Sequence, residues 1–121
     1  MNAEAAARAG IVILAVPLAA QIPTLRRVPD GVAVVAAFHC LSAHSLAQLD
    51  QTVDCDVLIC GDSAEAKAAV ADLVEKIPGA RAVEAGPLEN AHLVENLAAL
   101  LIALNLRHKV KGSGVRITGL K

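Results

Sequence analysis

The stretch VLICGDSAEAKAAVADLVEKIPG, residues 57–79, carries in one segment the two periodicities that decide the fold. Val57–Cys60 is a short, continuous apolar run closed by Gly61, and a run of that kind predicts a strand buried on both faces. Beyond Gly61 the period changes to that of a helix, with Ala66, Val70, Leu73, Val74 and Ile77 on one side. Asp62 stands where a helix cap is needed, Glu65 follows three residues later as in a capping box, and Pro78-Gly79 ends the helix. A buried strand leading straight into an amphipathic helix predicts βαβ construction.

The alternation recurs on both sides. Ile11–Val16, Val32–Phe38 and Arg81–Glu84 read as further strands, and Val115–Thr118 as a last one behind Gly112 and Gly114. A second helix is predicted from near Pro87 to about Arg107, roughly 30 Å long at 1.5 Å per residue. The glycine pair in KGSGV (111–115) reads as its C-cap. Between Pro17 and Val32 there is room for one short helix, broken near Pro23. The expected fold class is α/β, with a mostly parallel sheet of four to five strands and flanking helices.

At 121 residues the chain is one ordinary domain with one core. With no Trp, no Tyr and one Phe, that core is built from Ala, Val, Leu and Ile and relies on close backbone approach. A formal net charge of −1 with scattered signs supplies no field for steering nucleic acid or an anionic membrane, so neither is an expected partner. Three cysteines do not make a disulfide framework, which points to a reducing compartment, the cytoplasm. AGIVILAVPLAA (9–20) has the apolar length of a signal peptide, but MNAEAAAR before it balances one base against one acid. Both this run and LAALLIALNL (97–106) fall short of the roughly 20 residues that cross a bilayer, so no membrane span is expected.

The chemistry-bearing residues first give negatives. No Gly-x-Gly-x-x-Gly joins a strand to a helix, so the usual cradle for a dinucleotide pyrophosphate is absent. Cys55 and Cys60 fall on opposite faces of a strand and cannot share a metal, while His39, Cys40 and His44 lack a second ligand pair. Ser42 and Ser45 lack a nucleophile elbow, and Ser45 reads as the start of a short helix. His39 remains, delivered at the end of the apolar run in AVVAAFHCLSAHSL (33–46). It is either a packing histidine satisfied by backbone or a residue of the crevice beyond the carboxyl ends of the strands. Val16-Pro17 ends the first strand in the same way and Gly86-Pro87 opens the long helix, so these ends are expected to converge on one cleft.

Residues 32–120 carry a family resemblance. AFH before a small-residue turn, DCDVLICGD, AGPLEN and GSGVRITGL, in this order and spacing, resemble the C-terminal part of the deazaflavin-dependent NADP reductases. These enzymes move a hydride between reduced coenzyme F-420 and NADP. Upstream, AGIVILAVPLAA resembles the family strand whose Val-Pro end approaches the nicotinamide. The resemblance implies a partial Rossmann-like domain lacking the glycine-rich loop unit, truncated and internally shortened. Residues 1–30 would be a remnant of the nucleotide-binding half, and 31–121 the deazaflavin-binding and dimerisation half. It also implies that the deazaflavin lies near His39, Leu41, Gly86, Pro87 and Leu88, with Val16 and Pro17 toward the nicotinamide. Neither catalytic side chains nor a metal are implied, because the cofactors carry the hydride. NADP binding is expected to be weak or absent in this chain, which leaves a non-catalytic deazaflavin-binding or assembly module, or a gene fragment, as the alternative.

LAALLIALNL is apolar almost all round, and a helix of that kind must be covered twice. A homodimer through Leu97, Leu100, Leu101 and Leu104 is expected, with Asn96, Asn105 and Arg107 nearer the rim.

Overall fold

The computed structural model describes residues 7–15 and 18–120. The chain divides into two compact units, Met1–Val32 and Ala33–Lys121. In the first, helix α1 spans Leu18–Leu25 and contains Pro23 rather than breaking there. Thr24 Oγ1 donates to the Ala20 carbonyl at 2.6 Å within the same helix. The expected strand Ile11–Val16 is not formed over its described part: residues 11–15 are irregular, with Ile11 and Ile13 exposed. No strand is described beside it in this unit, and an isolated strand leaves its backbone donors and acceptors unpaired. Val16 lies outside the described residues.

The second unit runs β1 (Val35–Ala36), α2 (Ala43–Leu46), β2 (Cys55–Gly61), α3 (Ala64–Glu75), β3 (Ala80–Glu84), a 3-10 turn (Leu88–Asn90) and α4 (Ala91–His108). The sheet order is β1-β2-β3. Strands β2 and β3 are parallel, with Cys55 opposite Ala80 and Ile59 opposite Glu84, and α3 is their crossover. Strand β1 is antiparallel, with Val35 opposite Gly61.

The expected four to five mostly parallel strands are therefore corrected to three in a mixed sheet among the described residues. A parallel return needs a long crossover, usually helical. Between β1 and β2 there is only the four-residue α2, and the chain reverses at Phe38, whose φ of 67° is left-handed. The run Val32–Phe38 contributes two strand residues rather than seven.

Strand β2 is buried along its whole length, as the apolar run Val57–Cys60 requires, and the burial extends to Asp56. Alternate side chains feed two clusters. Cys55, Val57 and Ile59 pack with Val74 and with Val70, Ala71 and Ile77 of the α3 side. Leu58 and Cys60 pack with Val94, Leu101 and Leu97 of α4. The α3 cap is Ser63 rather than the expected Asp62: its hydroxyl accepts from Ala66 N–H at 3.1 Å. The outward edge of β3 is met by a side chain, with Ala82 N–H donating to Glu75 Oε1 at 3.2 Å. The KGSGV glycines are not the C-cap of α4; Lys109, left-handed at φ 55°, takes that place and donates to the Asn105 carbonyl. Gly112 and Gly114 serve close approach instead, since a Cβ on Gly114 would stand 2.9 Å from Cys55 Cβ.

The expected strand Val115–Thr118 lies beside β2 without becoming a strand. Asp56 N–H donates to the Val115 carbonyl at 2.6 Å. The next bond is not a backbone ladder bond, because Ile117 N–H donates at 2.7 Å to Asp56 Oδ2, a side-chain oxygen. Asp56 is fully buried. Arg81, its register partner on β3, donates Nε to Oδ1 at 2.8 Å and Nη2 to Oδ2 at 2.6 Å. Arg116 Nη1 reaches Oδ1 at 2.8 Å, while Arg81 Nη2 also holds the Ile117 carbonyl at 2.8 Å. The terminal segment is thus strapped to the sheet by the Asp56 carboxylate and two arginines, and Asp54 holds Arg116 a second time, accepting from Nε at 3.1 Å.

The Arg81 hydrogen bonds, with those of Ile117 N–H and Arg116, outweigh burial and hold the Asp56 carboxyl down to about 2. An unfolded aspartate titrates near pH 4. The strap's contribution is therefore complete above about pH 4 and is lost as pH falls toward 2, a loss on the order of 2 kcal/mol from this carboxyl. Asp56→Asn leaves two partly buried guanidinium groups facing a neutral amide and is expected to cost about 3 kcal/mol at pH 7. Urea denaturation of wild type and variant at pH 7 and pH 3 checks both statements: the gap between them should shrink at the lower pH.

Candidate functional site

The carboxyl ends of β2 and β3, where α/β sheets present ligands, form a crest from two turns. The first, Gly61-Asp62-Ser63, leads into α3; the second, Ala85-Gly86-Pro87, leads through the 3-10 turn into α4. Ala85 N–H donates to the Ile59 carbonyl at 2.8 Å and Gly61 N–H to the Gly86 carbonyl at 3.0 Å, so the parallel pairing continues into both turns. Asp62, freed from capping, accepts Leu88 N–H at 3.0 Å through Oδ1 and ties the two turns together. Asn90 Nδ2 donates to the Ala85 carbonyl at 2.9 Å.

Gly86 has φ of 95°, a left-handed value that side chains oppose, and an added Cβ would stand 2.6 Å from Asn90 Nδ2. Its N–H donates to Glu84 Oε1 at 2.9 Å. Lys67, on the first turns of α3, donates to the same Glu84 oxygen and lies 3.4 Å from the Gly86 carbonyl. The Lys67 ammonium, with the Gly86 N–H, lowers the Glu84 carboxyl below its ordinary range. Reading the sequence alone found Gly86, Pro87 and Leu88 but missed Asp62 in this role, Lys67, Glu84 and Asn90. Three of these four sit inside the motifs ICGD and AGPLEN or beside them; Lys67 stands among alanines with no local signal.

The expected convergence of all strand ends on one cleft is not found. Strand β1 is antiparallel to β2, so its carboxyl end, which leads to His39, points toward the amino end of β2 and away from the Gly86 turn. His39 instead faces α4, with Nε2 3.9 Å from Glu95 Oε1, and its Nδ1 is buried without a hydrogen-bond partner. Leu41 packs on the other side of the sheet with the α3 cluster. Gly86, Pro87 and Leu88 stay together at the crest. Val16 and Pro17 lie outside the described residues.

At the amino end of β2 lies a cavity of about 180 Å³ lined by Cys40, Ser42, Ser45, Asp54, Cys55 and Ser113, among others. It shares no residue with the crest. Burial pushes the thiols of Cys40, Cys55 and Cys60 up, which keeps all three protonated and poorly nucleophilic at neutral pH. Among the described residues no cluster of three or more His, Cys, Asp or Glu side chains suits a metal ion, and no helix is long and apolar enough to cross a membrane.

No family model matches the chain. Individual relatives do. The chain is 35% identical to the F420-dependent NADP reductase of Methanothermobacter thermautotrophicus over a span of 163 residues, covering 98% of this chain and 70% of that one. Since that span exceeds the 121 residues present here, the alignment passes over residues that only the relative has. A second F420-dependent NADP reductase, from Methanocaldococcus jannaschii, is 47% identical over 88 residues, 73% of this chain and 40% of that one. A solved structure from Arthrobacter sp. FB24, provisionally assigned as an F420-dependent NADP reductase, superposes with a TM-score of 0.66 at 21% identity. It covers 79% of this chain and 44% of the solved one, and at that identity it speaks to the fold.

Gly86→Ala tests the crest geometry. The left-handed backbone and the clash with Asn90 are expected to cost about 1–2 kcal/mol of unfolding free energy. Asn90→Ala should relieve part of the clash, so a double-mutant cycle followed by thermal melting is expected to come out less than additive.

Proposed function

The chain belongs to the F420-dependent NADP reductase family, and from that membership we propose that its crest binds coenzyme F-420 and that the chain takes part in hydride exchange between that deazaflavin and NADP. The observation that carries this reading is the Gly86 turn. It sits at the carboxyl end of a parallel pair, held in a left-handed conformation that only glycine adopts without strain, with its backbone fixed from both sides. Pro87 and Leu88 follow it into the long helix. These residues suit a flat heterocycle, for which shape and apolar contact matter more than charge. The deazaflavin, when bound, supplies the hydride chemistry. The chain's own part is to fix the ring over the turn and to exclude water with the apolar flank of α4.

His39 and Leu41 enter the proposed site by resemblance alone, and of the two only His39 stands on the α4 side of the sheet. Leu88 and Glu95 are seven residues apart along the helical path, about 10 Å at 1.5 Å per residue. A ligand lying along the first turns of α4 would span that distance and meet His39 beside Glu95. His39→Asn separates a ligand role from packing. We expect near-native stability with roughly tenfold weaker deazaflavin binding, about 1.4 kcal/mol. A melting temperature that falls while fluorescence titration of oxidised coenzyme F-420 is unchanged assigns His39 to packing.

NADP is a different matter for these 121 residues. No Gly-x-Gly-x-x-Gly stands ready for a pyrophosphate, and Arg26 and Arg27 lie on an exposed segment of the first unit. We propose that the 121-residue polypeptide binds deazaflavin and that a nucleotide-binding half must complete it for turnover. Calorimetry of this polypeptide with NADP at millimolar concentration should show no saturable heat; micromolar affinity overturns the proposal. The three free, buried cysteines suit a cytoplasmic setting.

The partner proposal is a second copy of the chain. Leu101 is buried against its own sheet, and Leu97 and Leu104 pack partly on the same cluster. Leu93 and Leu100 are more than half exposed, and with Leu97 and Leu104 they form one stripe at the four-three-four spacing of a helix–helix seam. Leu100→Glu should therefore shift sedimentation from dimer to monomer without loss of folding, whereas Leu101→Glu should unfold the chain. A wild type that sediments as monomer at tens of micromolar removes the proposal.

A further inference from the structure

We infer that Lys67 and Glu84 are a positioning pair for the Gly86 turn, setting the surface that coenzyme F-420 would meet; the inference rests on the crest being the deazaflavin site. Three contacts close a ring. Lys67 Nζ donates to Glu84 Oε1, the same oxygen accepts Gly86 N–H at 2.9 Å, and Lys67 Nζ lies 3.4 Å from the Gly86 carbonyl. Both polar groups of the Gly86 peptide neighbourhood are therefore held by side chains, and Gly61 N–H adds a backbone bond to the carbonyl at 3.0 Å.

The arrangement explains a second glycine. The Lys67 stem crosses β2 where it ends, and Lys67 Cγ lies 3.1 Å from the position a Cβ on Gly61 would take. Gly61 thus leaves a path for the lysine stem across the end of the central strand. The Lys67 side chain is 18% exposed and that of Glu84 62%, so the cation is the sheltered member and the carboxylate faces solvent. Because Lys67 is already matched by Glu84, it acts on the ligand through the turn and not as a charge for the ligand's phosphate.

The test uses Lys67→Met, Glu84→Ala and Lys67→Arg in the whole chain, each with a melting curve. Binding of oxidised coenzyme F-420 is followed by fluorescence, and exchange of the Gly86 amide proton by NMR. Removing a charge-assisted hydrogen bond that orders the turn is expected to raise the dissociation constant by about tenfold in Lys67→Met and Glu84→Ala, with Lys67→Arg near wild type. Gly86 amide exchange should accelerate by a similar factor, about tenfold, in the first two variants while core amides keep their protection. If wild type binds coenzyme F-420 and Lys67→Met binds it equally well, the positioning role is wrong and the proposed function stands. If wild type does not bind, the proposed function fails, and the amide decides the pair by itself. Faster exchange at Gly86 in Lys67→Met, restored by Lys67→Arg, upholds the positioning role, and unchanged exchange overturns it.

Discussion

A carboxylate with no access to water organises the second unit. Asp56 lies on the central strand, and burial of an unpaired charge there would be prohibitive. The chain answers with Arg81 from β3, Arg116 from the terminal segment and the amide of Ile117. The partners come from two separate parts of the sequence, β3 and the terminal segment, so satisfying one side chain joins β2, β3 and the last described residues. The apolar clusters on the two sheet faces are non-directional and tolerate sliding. The guanidinium and amide bonds to Asp56 fix register and direction, which the aliphatic core alone leaves loose in a chain with one aromatic residue.

That division of labour also marks what the amino-acid sequence revealed. Strand β2, helix α3 and the long helix α4 were legible, because a fully buried strand and a 3.6-residue apolar face leave patterns within a dozen neighbouring residues. The direction of β1 was not, because it depends on the connection behind Phe38 and not on the strand's own residues. Val115–Thr118 has the composition of a strand, and what prevents one is Asp56, sixty-one residues from Ile117, whose carboxylate takes a bond a backbone carbonyl would receive. The candidate site divides in the same manner. Gly86, Pro87 and Leu88 announce a turn, whereas Lys67 is tied to Glu84 across seventeen residues and a change of element, a pairing with no periodic signature.

The crest and the family membership meet at the turns. Asp62 gives up the capping role that its position suggests because Ser63 takes it, and the released carboxylate bridges to Leu88. Substituting one cap for another by a single residue converts a helix start into a link between the two turns at the crest. The relatives share 35–47% identity with this chain, and the motifs ICGD and AGPLEN supply most of the crest's bonds. The proposed hydride exchange asks for no acid–base pair at the crest, since orientation and dryness are what a protein contributes to it.

The bond from Ala82 N–H to Glu75 Oε1 reaches beyond the fold of one molecule. Strand β3 ends the sheet, and its outward backbone groups form the kind of template on which another chain can add a strand. Placing a carboxylate on one of those donors means that an incoming strand must first displace a charged acceptor and then bury it or leave it stranded. An aliphatic, β-branched sequence of this kind carries a standing risk of cross-β stacking. By occupying that donor, Glu75 raises the cost of adding a strand at this edge, so a contact that caps the fold internally also disfavours growth of the sheet outward.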